Sequence, residues 1–203
     1  MNFTLKSKKI LFTIFWLLSF AFFNLPGSIR YINLETLQII FLILGIIWFR
    51  KDLFKKKFLK NQKSILFHSF LIAFCFVLLV TVYLFLVFNN VEFYDPNIKF
   101  KIYFLLNYIF LSPLFEEFVY RYILIYLYPT KIFFTQLTVV ISSLLFAYAH
   151  RFALVGNILL LLPLFLLGLV LGFLYAKKRN LLYPIYTHIF YNSLVILISV
   201  MNS

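Results

Sequence analysis

The sequence predicts an all-α membrane protein, a bundle of about seven transmembrane helices with its N-terminus in the cytoplasm. Three observations carry that expectation. Of 203 residues, 64% are hydrophobic and only 12% charged; the apolar residues gather in long runs; and Lys and Arg gather between alternate runs. A soluble domain is roughly 45–50% apolar and about 25% charged, so this chain has too few polar groups to cover its surface in water. The same composition excludes a disordered chain and an ordinary cytosolic enzyme. A disulfide scaffold is excluded by the single cysteine, Cys75.

Taken in order, the first apolar run covers residues 10–26 and follows Lys6, Lys8 and Lys9. A signal peptide would start the same way. This run ends in Asn24-Leu25-Pro26-Gly27, without a small-x-small cleavage pattern, so it reads as a retained span. The second, 34–49, is the weakest, because Asn33, Glu35 and Thr36 crowd its start. The others cover 65–88, 102–128, 132–149, 154–176 and 181–200. Most approach the roughly 20 residues that a helix needs to cross hydrocarbon. The alternating pattern of barrel strands is absent, which leaves helices as the structure that satisfies its own backbone in lipid.

Net charge is +13. In a soluble chain that would suggest nucleic acid, but here no nucleic-acid partner is expected, because positive charge flanks membrane spans and orients them. With the N-terminus inside, fourteen of the 19 Lys and Arg fall in segments 1–9, 50–64, 129–131 and 177–180. Four, Arg30, Lys99, Lys101 and Arg151, fall outside, and Arg121 lies within a run. The cluster from Arg50 to Lys60 can also touch anionic lipid. Heavy use of Phe, Ile, Lys, Asn and Tyr suggests an AT-rich, most simply bacterial, genome, hence a bacterial plasma membrane. The expected organisation is one domain, 1–203, with N-terminal spans in 1–100 and the polar intramembrane groups in 101–203.

Ionisable groups inside spans are costly, so each is a functional hypothesis. Of six acids, Glu35, Asp52, Glu92 and Asp95 fall in loops or at span ends, whereas Glu116 and Glu117 are adjacent within the fourth run. Neighbouring carboxylates in an apolar helix repel and do not both ionise easily without compensation. Arg121 lies four residues after Glu117, on one helix face, and can form a charge-assisted pair with it. Glu116 points about 100° away. The expected division is Glu117–Arg121 as support and Glu116 as the reactive group; a purely structural ion-pair cluster is the alternative.

His150 ends the fifth run, and His188 lies in the seventh with Asn192 one turn further on the same face. His68 has no polar companion at helical spacing and reads as an interfacial or packing histidine. A carboxylate beside a histidine can polarise water for attack on a carbonyl. A second histidine with an amide can stabilise the developing oxyanion. No serine lies in a nucleophile elbow. Zinc held by Glu116, His150 and His188 is the alternative, although no HExxH pattern is present.

Glu116-Glu117-x-x-x-Arg121, Phe146-x-x-x-His150 and His188-x-x-x-Asn192, in that order in apolar segments, resemble the three signature motifs of the CPBP family. That family comprises type II CAAX prenyl endopeptidases and bacterial bacteriocin-processing or abortive-infection intramembrane proteases. The resemblance covers roughly residues 100–200. It implies a membrane-embedded endopeptidase acting on a membrane-associated, prenylated or leader-type peptide. Glu116 and His150 would activate water, His188 and Asn192 would form the oxyanion hole, and Glu117 and Arg121 would support the site. It is compatible with either a metal-free or a zinc-dependent mechanism; the residues themselves favour no cofactor.

Two other readings compete: a non-catalytic immunity or scaffold protein of the same architecture, and a proton-relaying transporter. Simple spans also create a depth conflict. Glu116 lies near the middle of its run, His188 about 10 Å from the inside end, and His150 near the outside end. Tilt, a break at Pro113 or continuation of the fifth helix past Arg151 would be needed to level them.

Overall fold

The computed structural model describes residues 61–89, 102–126, 132–151 and 158–201, with isolated positions at 10, 14, 39, 40, 42–44 and 47. The regular elements among the described residues are all helical. Helix α1 is Gln62–Phe88. Helix α2 is continuous but changes its winding: α-helical at Ile102–Leu106, π-helical at Asn107–Leu111, α-helical at Ser112–Glu117 and π-helical again at Phe118–Tyr126. Helix α3 is Ile132–Ala149, α4 is Ile158–Lys178 and α5 is Leu182–Met201. Each apolar run expected from residue 65 onward coincides with one helix to within a few residues. Apart from the isolated positions, the expected runs 10–26 and 34–49 lie outside the described residues, as do the basic stretch 50–60 and the acids Glu35, Asp52, Glu92 and Asp95.

Helices α1, α4 and α5 are long and apolar enough to cross a membrane, and Thr135–Ala149 of α3 is a shorter apolar helix. The chain is a membrane protein. Phe67, Leu79, Val82, Leu86 and Leu144 are all exposed on helix surfaces. Apolar exposure on this scale fits lipid, not water.

What holds the helices together is close approach and a few polar links. Hydrocarbon offers no hydrophobic drive between spans, so packing depends on small residues and interhelical hydrogen bonds. Gly168 of α4 lies against α3 so closely that an added Cβ would stand 2.9 Å from Ser143 Cβ and 3.0 Å from its Cα. One turn on, a Cβ at Gly172 would meet Val139 Cγ1 at 2.8 Å. The Ser143 hydroxyl donates to the Val139 carbonyl at 2.7 Å, which satisfies it within its own helix. Between α1 and α5, Ser69 Oγ donates to the Tyr183 carbonyl at 3.2 Å, and the Phe76 and Tyr191 rings meet edge-on at 5.8 Å. Tyr83 Oη donates to the Leu159 carbonyl at 2.9 Å, tying α1 to the start of α4.

Helices α4 and α5 form a hairpin with a short turn. Arg179 takes a left-handed conformation (φ 51°) and its N–H bonds the Tyr175 carbonyl at 2.8 Å, ending α4. The Asn180 side chain accepts from the Leu182 N–H at 3.0 Å and caps α5. This capped turn fixes the rotation of α5 and so the direction in which His188 points. His68, expected to lack a polar companion, has one: its Nδ1 donates to the Ser64 carbonyl at 2.6 Å, one helical turn back. The expectation overlooked Ser64, four residues earlier, whose hydroxyl also lies 3.3 Å from the same nitrogen.

Candidate active site

The centre of the described bundle is polar. Glu117 and Arg121 are fully buried, and Arg121 Nε lies 3.1 Å from Glu117 Oε2 as an ion pair. Nη1 and Nη2 of Arg121 have no hydrogen-bond acceptor among the described residues. The guanidinium instead lies over aromatic faces, its Cζ 4.9 Å from the centroid of Phe146 and 5.8 Å from that of Tyr120. Those π-faces offset part of the lost hydration of the cation.

Glu117 has a second partner. His188 Nδ1 donates to Glu117 Oε1 at 2.9 Å. Glu117 thus joins α2 to α5, and His188 is held by one nitrogen with the other, Nε2, turned toward Glu116 Oε2 at 3.9 Å. The other oxygen of Glu116, Oε1, lies 3.9 Å from His150 Nε2. His150 Nδ1 donates to the Phe146 carbonyl at 2.8 Å. That bond places the proton on Nδ1, so the neutral ring presents a lone pair at Nε2 to Glu116. Glu116 is the less enclosed of the two glutamates, with 17% of its side chain exposed against 0% for Glu117.

All the expected site residues therefore meet: Glu116, Glu117, Arg121, His150 and His188 in one cluster, with Asn192 one turn along α5. The depth conflict dissolves in an unexpected way. Helix α3 ends at Ala149, and His150 and Arg151 lie in a turn. The Ser142 hydroxyl donates to the Tyr120 carbonyl at 2.6 Å, which sets the register between α3 and α2. From that crossing Glu116 is one turn back along α2 and Phe146 one turn forward along α3. His150 folds its ring back onto the Phe146 carbonyl, so it reaches the level of Glu116 from beyond the helix end. Helical side chains lean toward the N-terminus, which favours this reach.

No break occurs at Pro113 either; the helix rewinds. The Ser112 N–H bonds the Asn107 carbonyl in the π pattern. The next carbonyl, Tyr108, would look five residues on to Pro113, which has no N–H. It accepts from Asn192 Nδ2 at 2.8 Å. Proline thus creates an acceptor inside an apolar helix, and Asn192 fills it. The two π stretches bracket Ser112–Glu117, which carries both carboxylates. Such widened turns recur at functional sites. In Pro113→Ala, an in-helix N–H competes with Asn192 for the Tyr108 carbonyl. The expected result is a loss of turnover on the order of 10- to 100-fold through misplacement of the site, with unfolding temperature maintained. Full activity in this variant would mean that the Asn192–Tyr108 bond has no positioning role.

Sequence reasoning assigned no role to two contributors. Phe146 is fully buried and touches three site groups: its ring lies 4.8 Å from His150 and 5.7 Å from His188, besides the Arg121 contact. Its place one turn before His150 was the available signal. The backbone carbonyl of Tyr108 had as its signal Pro113, five residues later.

A tetrahedral zinc ion sets its ligand atoms about 3.3 Å apart, from metal–ligand distances near 2.0–2.1 Å. Here the two histidine Nε2 atoms face different oxygens of Glu116, each at 3.9 Å. Among the described residues no three His, Cys, Asp or Glu side chains are placed to hold a metal ion. In this arrangement each histidine nitrogen stands about 0.6 Å farther from Glu116 than the ligand spacing of tetrahedral zinc.

Apolar helices that enclose a cluster of carboxylates, histidines and an arginine define a membrane protein with a buried polar centre. Residues 98–194 match the family model described as type II CAAX prenyl endopeptidase Rce1-like. Through this segment, close to half of its length, the chain is similar to that family of proteases, in keeping with the resemblance of its motifs to the CPBP family. No curated protein and no solved structure matches the chain.

Proposed function

We propose that the chain is an intramembrane endopeptidase that hydrolyses a peptide bond of a membrane-associated peptide, of the prenylated or leader type, by direct attack of water. The observation that carries this reading is the placement of Glu116, each of whose oxygens lies 3.9 Å from a different histidine nitrogen. A separation of that size suits a bridging water better than a direct bond.

Water held between Glu116 Oε1 and His150 Nε2 loses a proton to Glu116 as its oxygen bonds the carbonyl carbon. The carbonyl π electrons move to oxygen. His188 can donate to that oxyanion when protonated at Nε2, since its Nδ1 proton is already committed to Glu117. With His188 in that form, two carboxylates face two cations and the enclosed cluster is neutral. The Asn192 amide has two N–H donors; one serves Tyr108 and the second is assigned to the oxyanion. Collapse of the intermediate breaks the C–N bond, and the proton on Glu116 passes to the leaving amine.

Detergent-purified protein is expected to cleave a quenched peptide library at the same rate with and without a zinc chelator. Loss of cleavage on chelation, reversed by added zinc, would replace this mechanism with a metal-dependent one.

A further inference from the structure

A second feature lies outside the reactive cluster. A groove of 530 Å³ runs between α1 and α4, lined among others by Ile72, Phe76 and Leu79 on one side and by Leu166, Phe173 and Lys177 on the other. Apart from Lys177, every side chain lining it is hydrocarbon. Along α4 the lining extends from Lys177 to Leu166, which at 1.5 Å per residue is about 16 Å. One leaflet of a bilayer has about the same depth, half of a hydrocarbon core near 30 Å thick.

The end of the groove is basic. Lys177, Lys178 and Arg179 are consecutive and exposed. Lys178 Nζ stands 5.3 Å from the ring centroid of Tyr183, at the start of α5. The sequences of α1, α4 and α5 contain no Asp or Glu, so none of the helices that frame this end supplies a counter-charge. A leaflet-deep apolar slot closed by lysines that no carboxylate of the framing helices faces matches one chemistry, a hydrocarbon chain joined to an anionic headgroup. Basic pockets at the ends of membrane helices bind such headgroups.

We infer that the groove between α1 and α4 holds an acyl chain of an anionic phospholipid, whose phosphate is bound by Lys177 and Lys178. The lipid lies in the leaflet on the Lys177 side. Its chain covers Phe76, which packs on Tyr191 of α5, so the bound lipid buttresses the helix that carries His188. This assignment is independent of the proposed hydrolysis and holds for an inactive chain equally well.

The full chain, purified in detergent, would be titrated with phosphatidylglycerol or phosphatidylcholine of identical acyl chains, and bound lipid counted by native mass spectrometry. The expected result is one phosphatidylglycerol retained per chain, with an affinity about tenfold or more above that of phosphatidylcholine, the scale two surface lysines supply. The double variant Lys177→Gln/Lys178→Gln is expected to bring both lipids to the same weak binding. Leu79 is exposed, so Leu79→Trp fills the groove without disturbing the core and is expected to lower retention of both lipids. Equal binding of the two lipids by the unaltered chain would overturn the inference. So would a phosphatidylglycerol preference that survives loss of both lysines, or undiminished retention in Leu79→Trp.

Discussion

Replacing Glu116 by Gln is expected to lower the cleavage rate about 10²- to 10⁴-fold, the usual contribution of a general base. The substitution keeps the shape of the side chain and removes its ability to take a proton from water. It keeps the two bonds that hold the Glu117–Arg121–His188 assembly, Arg121 Nε to Glu117 Oε2 and His188 Nδ1 to Glu117 Oε1, and alters only the longer 3.9 Å approach of Glu116 to His188. Unfolding temperature is therefore expected to stay at the unaltered value while turnover falls. His150→Ala removes the second side chain that would hold the attacking water and is expected to cost a similar factor. Groups that act as a unit are non-additive; the double variant should be little worse than either single one. Two independent losses that multiply would show that Glu116 and His150 do not share one water. A Glu116→Gln enzyme that cleaves at the original rate would remove Glu116 from the chemistry and leave the non-catalytic membrane protein as the better reading.

Glu117→Ala is expected to act mainly on stability. The substitution leaves the Arg121 cation fully buried with no carboxylate partner and frees His188 Nδ1. Breaking a buried pair by removing one member costs about 3–5 kcal/mol, because the remaining charge is stranded. The π-faces of Phe146 and Tyr120 cannot replace a full counter-charge. Replacing both members, Glu117→Leu with Arg121→Leu, removes the stranded charge and is expected to recover most of that loss. Hydrolysis should not recover with it, since His188 has still lost the bond that orients its ring. Unfolding in detergent micelles and turnover, followed on the same samples, separate the two effects. A Glu117→Ala protein as stable as the unaltered chain would show that Arg121 finds its compensation elsewhere.

Much of this organisation is legible in the residues. The five helices from Gln62 onward could be located because apolar runs of membrane length are long, unambiguous signals. The Glu117–Arg121 pair follows from spacing, since residues four apart on a helix are neighbours whatever surrounds them. The gathering of Glu116, His150 and His188 was implied by a family resemblance and not by geometry. Counting along straight helices placed them at different depths. That count failed because it treated each helix as a uniform rod and each side chain as level with its own Cα.

Composition and spacing alone determined that the chain is a helical membrane protein, where its helices lie from residue 62 onward, and which polar groups are costly enough to mark a site. Those properties are local: they depend on transfer of side chains to hydrocarbon and on the pitch of one helix. Tertiary structure decided which nitrogen of each histidine is engaged, that Phe146 stands among His150, His188 and Arg121, and that Asn192 donates to the Tyr108 carbonyl, five residues before Pro113. It also decided that a leaflet-deep groove ends at Lys177. Apart from the one-turn bonds of His68 and His150 to carbonyls of their own helices, these join residues far apart in the chain. They depend on the rotation, register and widened turns of packed helices, which are set by steric fit and by the pairing of buried polar groups between helices.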